Sequence, residues 1–120
     1  MQYIAIIKYY NVRCNMNQPV HQYKAEFFKA LGHPVRLAIL DHLRKGEMSV
    51  GELQAALGLD QSAMSQQLSV LRNRDIVIVR KAGTTSYYSV PDKTLFALLD
   101  TAREIFNHQL VGTQKMLKSL

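Results

Sequence analysis

Between Ser49 and Leu71 the chain carries start and stop signals for two short helices, with only about three residues left to connect them. Ser49-Val50-Gly51-Glu52 has the form of a capping box, in which a Ser hydroxyl and a Glu carboxylate three residues later each bond the other's backbone N–H. A helix over about Val50 to Leu57 follows, with Leu53 and Leu57 facing inward. Gly58 suits the left-handed conformation that ends a helix. Asp60 suits the cap of the next helix. That helix, about Gln61 to Arg74, places Met64, Leu68 and Leu71 on one stripe. So short a connection leaves the two helices no choice but to cross at a steep angle and share one core.

Two helices joined by a three-residue turn containing Gly are the sequence form of a helix-turn-helix motif. The second helix is the informative one. Gln61, Ser62, Ser65, Gln66, Ser69 and Arg72 lie away from its buried stripe, and this face is uncharged until Arg72. An ordinary solvated face carries Glu and Lys. Amides and hydroxyls both donate and accept, which suits hydrogen bonding to base edges. Next come Ile76 to Val79, a short β-favouring run, then Arg80 and Lys81. Ala82-Gly83-Thr84 reads as a hairpin loop and Thr85 to Val90 as the return strand. This two-stranded ribbon reads as a wing, with Arg80 and Lys81 at its tip to meet phosphates, and Thr84 is placed with them on the DNA-facing side.

The flanking segments supply the rest of the core. About Pro19 to Leu31 reads as a helix with Tyr23, Phe27 and Leu31 at four-residue steps and Phe28 alongside. Gly32 ends it, and Pro34 opens a second, richly apolar helix to about Lys45. Pro91 breaks the return strand and Asp92 is placed as the cap of a long last helix. There Leu95, Leu98, Leu99, Ala102, Ile105, Phe106, Leu110, Met116 and Leu117 recur mostly at three- and four-residue steps. This is more apolar surface than a core of this size covers, and burial against a second copy is the simplest account. The expected fold class is mainly α with a two-stranded β-wing. Residues 18–120 form one DNA-binding and dimerisation domain, preceded by an unrelated extension, 1–17. Met16 offers an alternative start for the chain, and an arm that docks on a partner subunit is the rival reading of the extension.

Composition narrows the partner. The 120 residues carry a formal net charge of +6, which favours an anionic partner, nucleic acid first. Cys14 is the single cysteine, so no internal disulfide or all-cysteine metal site forms within one chain. No run approaches the roughly 18 apolar residues of a membrane span, and Met1 to Ile7 is too short for a signal-peptide core. The expectation is a cytoplasmic protein with no membrane association.

With these elements placed, Ala30-Leu31-Gly32-His33-Pro34-Val35-Arg36-Leu37-Ala38-Ile39-Leu40 resembles the opening signature of the ArsR/SmtB family of bacterial repressors. Ser49 to Leu53, Gln61 to Leu68 and Val70-Leu71 are similar to its helix-turn-helix. Arg80-Lys81-Ala82-Gly83 with Tyr87-Tyr88-Ser89-Val90 is similar to its wing. The resemblance covers about residues 20 to 118. It implies a winged helix-turn-helix homodimer joined through its first and last helices, bound to duplex DNA at an imperfect inverted repeat. The implied DNA-reading residues are Gln61, Ser62, Ser65, Gln66 and Gln67. The implied dimer surface takes in Tyr23, Phe27, Phe28, Leu99, Ala102, Ile105, Phe106 and Leu110.

The family's metal sensors place thiolates where this chain has Ser49 and Gly51. Their other ligand set falls here on Asp92, Thr94, Ile105 and His108. Neither set is intact, so no metal and no cofactor are expected, and the inducer stays unnamed. The remaining polar residues have plain readings. His33 caps or packs at a helix start, His42 has no ligand-type partner at helical spacing, and Glu104 and His108 form a surface pair. Arg72 and Arg74 favour the helix C-terminal dipole or a phosphate. Of Tyr87 and Tyr88, one packs inward and the other braces the wing. No nucleophile triad, carboxylate pair or phosphate loop suggests an enzyme. A winged helix used purely for protein contacts is the alternative.

Overall fold

A computed structural model of the chain describes residues 17–119. Among the described residues five helices and a small sheet follow one another in the order α1 (Asn17–Leu31), α2 (Pro34–His42), β1 (Met48–Ser49), α3 (Val50–Leu57), α4 (Gln61–Asn73), β2 (Ile78–Ala82), β3 (Thr85–Ser89) and α5 (Thr94–Lys118). A single 3-10 turn, Leu43–Lys45, extends α2. Cys14, Met16 and the rest of residues 1–16 lie outside the described residues, as do the readings made of them.

Local chemistry sets the helix ends. His33 is extended, at φ −145° and ψ 132°, and its Nδ1 accepts from the Val35 N–H at 3.1 Å, with Pro34 in the first helical turn. Ser49 Oγ accepts from the Glu52 N–H and Glu52 Oε1 accepts from the Ser49 N–H, both at 3.1 Å, completing the expected box. Gly58 closes α3 at φ 65°, and its N–H donates to the Gln54 carbonyl. Asp60 Oδ1 then accepts from the Ala63 N–H at 2.7 Å and opens α4. At α5 the Asp92 carboxylate takes both the Thr94 N–H and its hydroxyl, at 3.0 and 2.6 Å.

One core holds the elements together. Ile39, Leu40 and Leu43 come from α2 and its final turn, Leu53 from α3, and Met64, Leu68 and Leu71 from α4, all buried. Val77, Val90, Leu95 and Phe96 close it from the wing side. Leu59, one residue past Gly58, packs against the same cluster. Arg44 ties α5 back to α2, bonding Asp41 and Asp100 at 2.8 Å each while its guanidinium lies 5.2 Å from the Phe96 ring centre.

Three details correct the sequence reading. The second helix stops at His42, not Lys45, because the chain tightens so that Leu43 turns into the core. The two-stranded wing forms as expected, β2 paired with β3, but a third strand joins it to give an antiparallel sheet in the order β1-β3-β2. Its added strand is only two residues long and pairs Met48 with Tyr88 and Ser49 with Tyr87. The outgoing strand begins at Ile78, not Ile76, since Ile76 and Val77 are still core residues. Asp75, at φ 56°, makes the left-handed turn that delivers them.

Two substitutions test this framework. Leu53→Ala is expected to destabilise the fold by about 3 kcal/mol, within the range for emptying a fully buried Leu site. Ser49→Ala is expected to remove about 1 kcal/mol through loss of the cap. Denaturant unfolding with an unchanged m-value checks both.

Candidate DNA-binding surface

Met64, Leu68 and Leu71 point into the core, so the opposite side of α4 is turned to solvent. Gln61, Ser62, Ser65, Gln66, Ser69 and Arg72 are all exposed, as expected. Ser62, Ser65, Gln66 and Ser69 border an open concavity of about 650 Å³ that is also lined by Gln67, Val70 and Asn73 of the same helix and by Arg36. Hydroxyls and amides therefore line a shallow trough beside a guanidinium.

Gln67 differs from its neighbours. It is half-buried, and its Oε1 accepts from Arg36 Nη1 at 2.8 Å. Its oxygen is thus already engaged within the molecule. Arg36 went unassigned in the sequence reading. A cation set between Val35 and Leu37 in the apolar first half of that helix is the available signal.

The wing adds charge in a different way from that expected. Arg80 is not at the tip: it lies in the middle of β2, opposite Tyr87. Its Nη2 and Nε donate to the two Glu47 carboxylate oxygens at 2.6 and 3.2 Å. Its guanidinium also lies 4.6 Å from the Tyr87 ring centre. The tyrosine pair divides as expected, Tyr87 under Arg80 and Tyr88 against the core. Lys81, opposite Ser86, and Thr84 in the Gly83-Thr84 hairpin turn are exposed near the tip.

A second surface is apolar. Tyr23 and Phe28 on α1 are 43% and 54% exposed, and Ile105, Phe106 and Leu110 on α5 are 50%, 59% and 61% exposed. Phe27, Leu99 and Ala102 are half-buried beside them. Phe27 and Phe28 meet edge to face at 5.5 Å. Large apolar groups are thus exposed on both α1 and α5.

The expected Glu104–His108 pair is not formed: none of the ion pairs among the described residues joins them. Among the described residues no three His, Cys, Asp or Glu side chains come together as a metal site. No helix of the described residues is long and apolar enough to cross a membrane.

Comparison with known proteins agrees with this geometry. A helix-turn-helix domain family matches residues 31–80. The HTH-type transcriptional regulator Rv0081 of Mycobacterium tuberculosis is 39% identical over 105 residues, covering 87% of this chain and 92% of that protein. Its crystal structure superposes with a TM-score of 0.73 over 79% of this chain and 96% of that one, at 41% identity. The transcriptional repressor BigR of Xylella fastidiosa gives a TM-score of 0.65 at 36% identity, over 78% of this chain and 95% of that one. The homodimeric winged helix-turn-helix DNA-binding domain of Mb0332 from Mycobacterium bovis, a possible ArsR-family regulator, gives 0.71 at 27% identity, over 79% and 90%. The fold is that of a winged helix-turn-helix transcriptional regulator. The chain belongs to the ArsR/SmtB family.

The Glu47–Arg80 pair is open to a pH test. Hydrogen bonding to Arg80 holds the Glu47 carboxyl below the ordinary value of 4.5. Because the folded value is the lower one, the pairing contributes above the unfolded value and is lost as pH falls through the folded value. Carboxyl-carbon NMR should show Glu47 titrating below its ordinary value, and Arg80→Leu should return it there.

Proposed function

We propose that this protein is a cytoplasmic, sequence-specific regulator that binds double-stranded DNA as a homodimer and represses transcription from an inverted-repeat operator. The observation that carries the reading is the outward face of α4, where Gln61, Ser62, Ser65, Gln66 and Ser69 stand exposed and uncharged. Two such helices related by a twofold axis enter successive major grooves about 34 Å apart. Gln66 and its neighbours read base edges. Arg72, Lys81 and Thr84 meet the backbone, while Gln67 braces the helix.

Arg80 takes a modified role. With its charge balanced by Glu47, it props the wing through Tyr87, and a phosphate competes with Glu47 for it. Tyr23, Phe27, Phe28, Leu99, Ala102, Ile105, Phe106 and Leu110 form the surface between the two copies. Occupancy of the operator excludes polymerase sterically, and no catalytic step is required. The resemblance to named regulators and repressors, over 68% to 87% of this chain, supports this reading.

Selection of bound duplexes from a random pool supplies the operator. With about six to ten phosphate contacts per dimer, affinity should fall by roughly 10³- to 10⁵-fold between about 50 and 200 mM salt. A nearly flat salt response would overturn the reading. Gln66→Ala should reduce discrimination between operator and random duplex by about 1–3 kcal/mol. Lys81→Ala should weaken both to a similar extent, as measured by fluorescence anisotropy.

A further inference from the structure

Helix α1, which carries part of the proposed dimer surface, is fastened to α4 by polar bonds at two places. The first is Arg36, at the start of α2. Its Nε donates to the Ala30 carbonyl at 2.6 Å and its Nη2 to the Lys29 carbonyl at 3.3 Å. Its Nη1 donates to Gln67 Oε1 at 2.8 Å. The second is Arg74, just past the end of α4, whose Nη2 lies 3.0 Å from Glu26 Oε2.

The order of these contacts fixes the geometry. Glu26 precedes Ala30 by one turn on α1, whereas their counterparts Arg74 and Gln67 run the other way on α4. The two helices are therefore antiparallel, held at both ends of their contact. Apolar packing is non-directional and tolerates small rotations. Hydrogen bonds weaken steeply when misaligned, and a guanidinium presents its donors in one rigid plane. All three Arg36 acceptors are neutral oxygens, so the full cationic charge rests at the C-terminus of α1, where the helix dipole favours it.

We infer that Arg36 is a positioning residue: through Gln67 it sets the angle of the recognition helix on the dimerisation helix, and so the half-site spacing that the dimer accepts. The inference rests on the DNA-binding reading above, since spacing has meaning only for two linked recognition helices. Neither Arg36 nor the Gln67 oxygen touches a base in this role. Loss of the joint lets each recognition helix swivel independently, which relaxes spacing without abolishing recognition of one half-site.

The test uses the full chain and a panel of duplexes carrying the selected half-site alone, or as pairs at the optimal spacing and at one and two base pairs either side. The unaltered protein should prefer the optimum over the adjacent spacings by about tenfold. Arg36→Met should flatten that preference to about threefold or less while leaving single half-site affinity within about threefold. Gln67→Met should flatten the spacing profile likewise, whatever it does to single half-site affinity. Gln67→Glu keeps an acceptor for Arg36, and it should keep the steep spacing profile even if its negative charge lowers affinity uniformly.

The double variant Arg36→Met/Gln67→Met should be no flatter than either single one. Should Arg36→Met fail to fold or to dimerise, the two Gln67 variants decide, because they leave the α1 carbonyl bonds in place. A sharp profile retained by Arg36→Met or Gln67→Met, or lost equally in Gln67→Glu and Gln67→Met, overturns the inference alone. An unaltered protein that binds no duplex overturns the DNA-binding reading and this inference with it.

Discussion

Burial of Met64, Leu68 and Leu71 beneath α4 decides which side of that helix meets water. Their partners are Leu53 from α3 and Ile39, Leu40 and Leu43 from α2 and its final turn. Rotating α4 by even a quarter turn would bury Gln and Ser side chains without partners, at a cost that grows with each unpaired group. The polar face is thus held outward by what lies under it.

The parts legible in the sequence were those set by neighbours along the chain. The bounds of α3 follow from Ser49, Glu52 and Gly58, and the start of α4 from Asp60, because caps act over three or four residues. The outward residues of α4 followed from helical period alone. What escaped was set by distant partners. Glu47 and Arg80 are 33 residues apart, and Arg36 and Gln67 are 31 apart, so no periodicity links them. Strand β1 escaped for another reason: two residues carry no alternation, and only pairing with Tyr87 and Tyr88 makes them a strand.

Charge is distributed unevenly between the two working faces. The trough on α4 owes its cation to Arg36, which is set back behind Gln67 rather than displayed. The wing root balances Arg80 against Glu47. Long-range attraction to an anionic partner rests on the net charge of +6, whereas the exposed face of α4 from Gln61 to Ser69 offers neutral donors and acceptors beside the exposed cation Arg72. Such a division separates arrival at DNA from the choice of a site on it.

The two-residue strand β1 has a consequence for how the hairpin can vary. It anchors the root of the wing to the first turn of α3, so the strands are registered from below and not by their loop. At the other end Gly83 takes φ 62° with open space around it, and Thr84 is exposed. The loop is consequently a terminal that can be lengthened, shortened or recharged while the root keeps its register. The length of the hairpin is thereby adjustable in one short stretch of chain, independently of the residues that form the core.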